Sequence, residues 1–487
     1  MKPGPMASSP LNYIPMKKLI IYILPLMLLV SCAKDLDEYN VDQKNPQTVS
    51  AGSLFGNALR QLVDNQTSPS VNSNVLRFWM QQWTATTYQD EPRYNITTRN
   101  IPLNYWTPFY REVLQDLKES RRLTDEDQTL DPAVKNNRIA VTEIAAVYTW
   151  SVLVNTWGDV HYTEALTEIN QPKYDDAASI YDDLFNRLDA AIAQITPGSN
   201  FGGSDLLYHD DTAAWLKFAH SLKMKLAITI ADVDAATAQA AISASAGQGF
   251  TSNADNAAWE YLSTTPNNNP VSANLNPIYT SRQDYIAGET LVNLMNTVND
   301  PRRPFYFTPV NGAYIGGRIG VNNDYASFSK PSDKVIQPDF EALLMDYSEV
   351  EFILAEAAAR WGIAGSPEAH YNAAITASIT YWGGTAAQAT AYLAQPQVAY
   401  ATAAGNYKQK IGMQKYIALY NRGYDAWVEW RRLDYPALRP AASALSVIPL
   451  RLTYPTSERT LNRTNVESAA TAIGGDEVGT KVFWDVF

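Results

Sequence analysis

Residues 144–157 are the stretch that most limits how this chain can fold. Ile144-Ala145-Ala146-Val147-Tyr148-Thr149-Trp150-Ser151-Val152-Leu153-Val154-Asn155-Thr156-Trp157 is apolar nearly all the way round. A helix without a polar face has to be covered on every side. It stops at Gly158-Asp159, where a glycine takes the left-handed geometry that closes a helix. The chain must therefore supply other helices to surround it.

Several segments have the spacing to do so. Residues 53–63 place Leu54, Phe55, Ala58, Leu59 and Leu62 at helical intervals. Residues 75–83 also read as a helix, and 105–123 carry Trp106, Phe109, Val113 and Leu117 on one face. Helices are expected again at 174–195 and 212–230. In the second, Trp215, Phe218, Ala219, Leu222 and Leu226 form the stripe, which leaves Lys217, Ser221 and Lys225 facing out. Asp346-Tyr347-Ser348-Glu349 reads as a capping box, the Asp accepting from the third amide and Glu349 reaching back. Tyr347, Val350, Leu354, Ala357, Ala358 and Trp361 then share a face. Gly362-Ile363-Ala364-Gly365 turns the chain, and Ser366-Pro367 opens the next helix with a cap and a proline at the first position. This is an antiparallel helix pair, the unit of tetratricopeptide-type repeats, although no strict repeat period is present. Two more helices are expected at 411–420 and 424–433, and the tail from Ile448 reads as non-helical.

Between residues 251 and 338 the pattern changes. Asn267-Asn268-Asn269-Pro270, Asn276-Pro277, Asp300-Pro301 and Gly312 punctuate it with turns, and only 291–298 keeps a helical stripe. A long irregular stretch inside a compact domain more often carries function than not. The expected fold is mostly α, a single domain of tetratricopeptide-like helix pairs with irregular ligand-binding loops. Trp157, Trp215 and Trp361 lie on helical stripes and are expected in the core. Glu429, Arg431 and Arg432 read as a solvated or helix-pairing charge cluster rather than a ligand clamp.

Residues 16–32 begin with Lys17 and Lys18, continue through an apolar run from Leu19 to Val30, and end in Ser31-Cys32. The run has signal-peptide length and is too short to span a bilayer as a mature helix. Leu29-Val30-Ser31-Cys32 looks like a bacterial lipobox, which makes Cys32 the lipidated N-terminus. It is also the only cysteine in the chain. Residues 1–31 are thus read as an upstream extension, with Met16 the starting residue, plus a lipoprotein signal peptide. Residues 32–50 form the lipidated N-terminus and tether, whose Asp35-Leu36-Asp37-Glu38 resembles the acidic tag of surface lipoproteins of Bacteroidota. Residues 51–487 make the functional domain.

The list of chemical motifs is nearly empty. A net charge of −12 argues against nucleic acid, which needs a basic footprint. His161, His209, His220 and His370 lack metal-type spacing, and no Gly-x-Ser-x-Gly, phosphate loop or Asp-x-Asp-x-Asp-Gly calcium loop occurs. No catalytic residue, metal or cofactor is expected. Aromatics stand out instead, with 29 Tyr and 12 Trp, many in Asn-rich surroundings. Flat rings stack on weakly polar ligand faces and lose few rotamers in doing so. Two loops combine such rings with amides. One offers Trp83, Tyr88 and Tyr94, with Gln89 and Arg93 as neighbours. The other offers Tyr285, Tyr306 and Tyr314, with Asn311. Tyr88, Tyr94, Tyr306 and Tyr314 are expected to converge on one concave face, and some of these rings, Trp83 first, to pin the loops to the scaffold.

In order along the chain, Trp157-Gly158-Asp159-Val160-His161-Tyr162, Trp215-Leu216-Lys217-Phe218-Ala219, Glu351-Phe352-Ile353-Leu354-Ala355-Glu356-Ala357, Gly423-Tyr424-Asp425-Ala426-Trp427-Val428-Glu429-Trp430-Arg431-Arg432 and the closing Val482-Phe483-Trp484-Asp485 resemble the SusD/RagB family of outer-membrane nutrient-binding lipoproteins, in its SusD-like branch. His161 stands where that family shows Pro. The resemblance implies a lipid-anchored, surface-exposed protein that binds an oligosaccharide or peptide. It also implies delivery to a TonB-dependent SusC-like transporter, without catalysis. Two rivals remain at this point. A surface glycoside hydrolase would need a carboxylate pair poised across a sugar, and a helical-repeat adaptor would bind only proteins.

Overall fold

The computed structural model describes residues 49–487, together with Met1 and Gly4. Cys32, the signal peptide and the acidic tether lie outside the described residues. Ala51–Phe487 forms one compact unit.

The all-apolar stretch is the second half of a helix over Pro132–Trp157, capped by Asp131, whose carboxylate accepts from Ala133 N at 2.8 Å. Every residue from Ala140 to Trp157 is buried, and Gly158 ends the helix at φ 82°. The helix is long and apolar enough to cross a membrane, yet 94% of its apolar window is covered by protein. Cover comes from helices over Gln115–Glu126 and Ala177–Gln194 and from Thr212–Thr229. The helix before it widens to a π-turn at Phe109–Leu114, just after Pro108, which lacks an amide to donate.

Three pairs of consecutive helices pack against each other: Thr212–Thr229 with Ala235–Ser245, Tyr347–Trp361 with Pro367–Trp382, and Tyr407–Ala418 with Gly423–Leu433. Polar caps set their starts. Asp176, Asp211, Asp234, Ser366 and Asn406 each accept from an amide in the first turn. The fold is mostly helical and tetratricopeptide-like. Trp157 and Trp215 are fully buried, and Trp361 packs half-buried against the core.

Four expectations need correcting. Residues 75–83 form only a helical turn over Leu76–Trp79, because Gln81 adopts φ 53° and the chain then runs on as strand β1, Trp83–Ala85. Ser221 and Lys225 do not face out: the Thr212–Thr229 helix is covered on that side too. Ser221 accepts from Phe250 N, and Lys225 sits 2.8 Å from Glu349 and 2.5 Å from Asp425. The capping box at Asp346 is half formed. Asp346 accepts from Glu349 N at 2.7 Å, but the Glu349 carboxylate pairs with Arg422 and Lys225 instead of reaching back. The tail holds two helices, Thr456–Leu461 and Arg463–Ala472, the first anchored by Glu458 accepting from His161 and Tyr174. Helix Ala235–Ser245 gives no clear stripe because alanine dominates it.

Three other short strands complete the fold: β2 (Ala257–Trp259), β3 (Tyr285–Ala287) and β4 (Ala342–Met345). β2 pairs antiparallel with β4, closing the irregular stretch near its two ends, and β3 pairs antiparallel with β1.

Candidate functional site

The two aromatic loops singled out in the sequence meet at the β1–β3 pair. Trp83 lies opposite Ala287, Thr84 opposite Ile286 and Ala85 opposite Tyr285. Thr86 continues the seam: its backbone N donates to Asp284 O at 2.9 Å and its Oγ1 to Gln283 O at 2.7 Å. The Gly-rich turn at 316–320 is laid against it. Asn323 N donates to Thr86 O, and its amide donates to Ala85 O, Arg318 O and Val321 O at 2.8–3.1 Å. Gly288 must be glycine here, since a Cβ would collide with the Gln81 carbonyl. A third segment joins where Ala442 N donates to Ile319 O, Ala441 N to the Tyr94 hydroxyl and Leu445 N to Arg93 O. The result is one loop face built from residues 81–95, 283–290, 315–323 and 437–447.

Most of the rings offered by the sequence hold this face to the helices. Trp83 is 1% exposed, stacks near Tyr285 at 6.1 Å and donates to the Tyr420 hydroxyl at 3.0 Å. The Tyr285 hydroxyl donates to Pro69 O, and the Tyr306 hydroxyl to Ile417 O. Tyr306 also stacks on Tyr420 at 4.2 Å. Burial pushes the Tyr94, Tyr285 and Tyr306 phenols up, so these rings stay neutral hydrogen-bonding pins. The expected convergence of Tyr88, Tyr94, Tyr306 and Tyr314 on one concave face is therefore corrected for Tyr94 and Tyr306, whose rings lie in the interior, as do those of Trp83 and Tyr285. Asn311 is exposed at a tight hairpin with Gly312, both at positive φ (50° and 82°), and the turn geometry accounts for it. Tyr314 is half-buried under the Arg303 guanidinium, 5.3 Å from its ring centre, beside a separate cleft lined by Asn299, Tyr392 and Gln395.

Tyr88 is different. It is 61% exposed, and among the described residues only the C-terminal Phe487 is an equally open aromatic. The loop face also opens into a cavity of about 440 Å³ lined by Gln81, Glu289, Thr290, Asn293, Arg318, Ile319 and the 437–442 segment. Its floor is built. Gln81 is 2% exposed, donates to Arg439 O at 2.5 Å and accepts from the Thr290 hydroxyl. Sequence reasoning missed Gln81, Arg318 and Arg439. The 316–320 turn that presents Arg318 was the only local signal, and a glycine-rich turn does not announce which side chain it displays. A much smaller cavity, of about 30 Å³ between Tyr148, Asp346 and Arg422, has room for little more than a water molecule.

A helical-pair scaffold thus carries a stitched loop face with an open ring and a polar cavity, the parts a ligand-binding protein needs. The comparisons specify it further. The family described as starch-binding and associating with the outer membrane, SusD-like, matches residues 43–455, and the chain belongs to it. Among solved structures, the chain is similar to a chitin-binding protein at 26% identity and TM-score 0.76, covering 90% of this chain and 100% of that one. It has the fold of a SusD-like protein from Bacteroides thetaiotaomicron (24% identity, TM-score 0.76, 90% and 99% covered). The same holds for a chitin-binding SusD homolog from Flavobacterium johnsoniae (23% identity, TM-score 0.74, 89% and 98% covered). No curated protein matches the chain.

Proposed function

We propose that this chain is a lipoprotein of the outer-membrane surface, anchored through Cys32, that captures an oligosaccharide on its loop face and passes it to a TonB-dependent SusC-like transporter. The observation that carries the reading is Tyr88, an open ring in a protein that buries or half-buries nearly every other aromatic among the described residues. An exposed ring on loops pinned to rigid helices suits stacking on a sugar face. The family description and two relatives named as chitin-binding support a glycan over a peptide. Capture is favoured over hydrolysis because one carboxylate, Glu289, lines the cavity, and glycoside hydrolysis takes two.

Binding of the chain to an oligosaccharide array tests this reading. A glycan ligand is expected, with Tyr88→Ala lowering its affinity by roughly 1–3 kcal/mol and leaving Tm unchanged. Turnover of any bound saccharide would replace capture with catalysis. Mild detergent extraction is expected to bring a TonB-dependent transporter along with the protein, whereas Cys32→Ala is expected to remove it from the membrane fraction.

A further inference from the structure

We infer that the cavity floored by Gln81 receives an anionic group of the captured saccharide, a carboxylate or a sulfate ester, held by Arg318 and Arg439. This rests on the reading of the loop face as a saccharide site and adds the chemical class of its ligand.

The two arginines differ from the exposed arginines of the helices. Exposed arginines on its helices are paired: Arg111 with Glu112, Arg122 with Glu119 and Glu126, Arg459 with Asp476. Buried Arg422 and Arg432 are paired as well. Arg318 and Arg439 are exposed and line one cavity, and among the described residues neither has a carboxylate within ion-pairing distance. Their backbones are nevertheless fixed. Arg318 N donates to Asn323 Oδ1 at 3.2 Å and Arg318 O accepts from the same amide at 3.1 Å, while Arg439 O accepts from Gln81. The Ala442 N to Ile319 O bond, 3.0 Å, ties the two segments together. Main chains held this firmly, with free guanidinium groups, are placed to receive a ligand rather than to stabilise the fold.

Charge inside the cavity agrees. Two guanidiniums face one carboxylate there, a local positive excess in a chain of net charge −12. Glu289 opens the Glu289–Thr297 helix, where a carboxylate is favoured by the helix dipole, so it has a structural reason to be present. A guanidinium fork matches the paired oxygens of a carboxylate or sulfate and binds them more strongly than it binds neutral hydroxyls. Asn293 and Thr290 remain to meet sugar hydroxyls, and Tyr88 offers a stacking ring elsewhere on the loop face.

The test is titration of the chain with three matched sets of oligosaccharides: neutral, uronate-containing and sulfated. One charged set is expected to bind roughly ten-fold or more tightly than its neutral counterparts, and which one does so identifies the anion. That preference should shrink as NaCl is raised and vanish in the Arg318→Gln/Arg439→Gln double variant, whose Tm is unchanged. Tyr88→Ala should weaken all sets alike. Equal affinity for charged and neutral sets, or a preference that survives in the double variant, overturns the inference while leaving saccharide capture standing. Absence of binding in all three sets overturns both.

Discussion

The helix pairs and the loop face treat charged side chains in opposite ways. Between the helices, Arg432 is 2% exposed and pairs with Glu356 at 2.5 Å and Glu429 at 2.7 Å. Arg360 extends the chain of pairs from Glu356 to Asp232, and Lys415 closes on Glu429. A second cluster joins Lys225, Glu349, Arg422 and Asp425. These groups come from four helices and the residues beside them, so the pairs that cross between helices, such as Arg432–Glu356, Lys415–Glu429 and Lys225–Asp425, fix the register of one helix against another. On the loop face, Arg318 and Arg439 have rigid backbones and unspent charge. Charge that is enclosed and paired specifies the scaffold, while charge left open on fixed loops is available to a ligand. Helix packing is thus separable from recognition, and the separation can be tested from both sides.

The hardest blow to the scaffold should come from Glu356→Ala. It removes one of the two carboxylates from each of two arginines, one of them buried, and breaking such a buried pair costs about 3–5 kcal/mol. Arg318→Ala, by contrast, should change unfolding free energy by less than about 0.5 kcal/mol. Denaturant unfolding of both variants measures the contrast. Comparable losses would erase the distinction between the two regions.

Acid should attack the same place. Burial alone would raise the Glu356 and Glu349 carboxyls. Arg432 holds the first down to about 2, and Lys225 with Arg422 does the same for the second. A carboxyl with a depressed folded pKa stabilises fully above its unfolded value near 4.5 and loses that contribution as pH falls toward 2. Stability should therefore decline steeply from about pH 4.5 downward, by a few kcal/mol, and Glu356→Gln should flatten the slope. An unchanged slope would place the acid sensitivity elsewhere.

How much of this was legible from sequence depended on how local the cause was. The 144–157 stretch and the 347–382 pair were readable because apolar period, caps and turn residues sit within a few positions of each other. The break after Trp79 was not, since β1 takes its partner from Tyr285–Ala287, two hundred residues on. Lys225 misled for a similar reason. Its charge suggested solvent, but Glu349 and Asp425 arrive from distant helices to pair with it. The two loops meet where Trp83–Ala85 pairs with Tyr285–Ala287, yet ring identity gives no direction. Trp83 and Tyr306 turn inward because Tyr420 waits there for both. Arg318 and Arg439 became visible only once the folded chain showed what does not face them.

Tyr88→Ala sharpens the comparison from the other side, with a loss in ligand affinity of roughly 1–3 kcal/mol and no cost in unfolding free energy. A ring that is 61% exposed has little packing to lose. If Tyr88→Ala lowered Tm while affinity held, the open ring would belong to the scaffold after all.

The smallest expected effect separates the regions by pH near neutrality. His370 lies on the Pro367–Trp382 helix, its Nδ1 2.7 Å from a Glu351 oxygen and its Nε2 2.7 Å from Ala364 O. The Glu351 hydrogen bond, against some desolvation, raises its pKa above the usual 6.5. A histidine whose folded pKa is raised stabilises fully below its unfolded value and loses that contribution as pH rises through the folded one. The group is partly open to solvent, so screening keeps the contribution below about 1 kcal/mol. The stability gap between the wild-type chain and His370→Gln should thus be larger at pH 5.5 than at pH 8.5. The loop-face segments contain no histidine, since all four lie elsewhere in the chain. Saccharide affinity should consequently stay flat across the interval in which the scaffold loosens. A binding curve that tracked the stability change would mean that the helix pairs, and not the pinned loops alone, set the shape of the site.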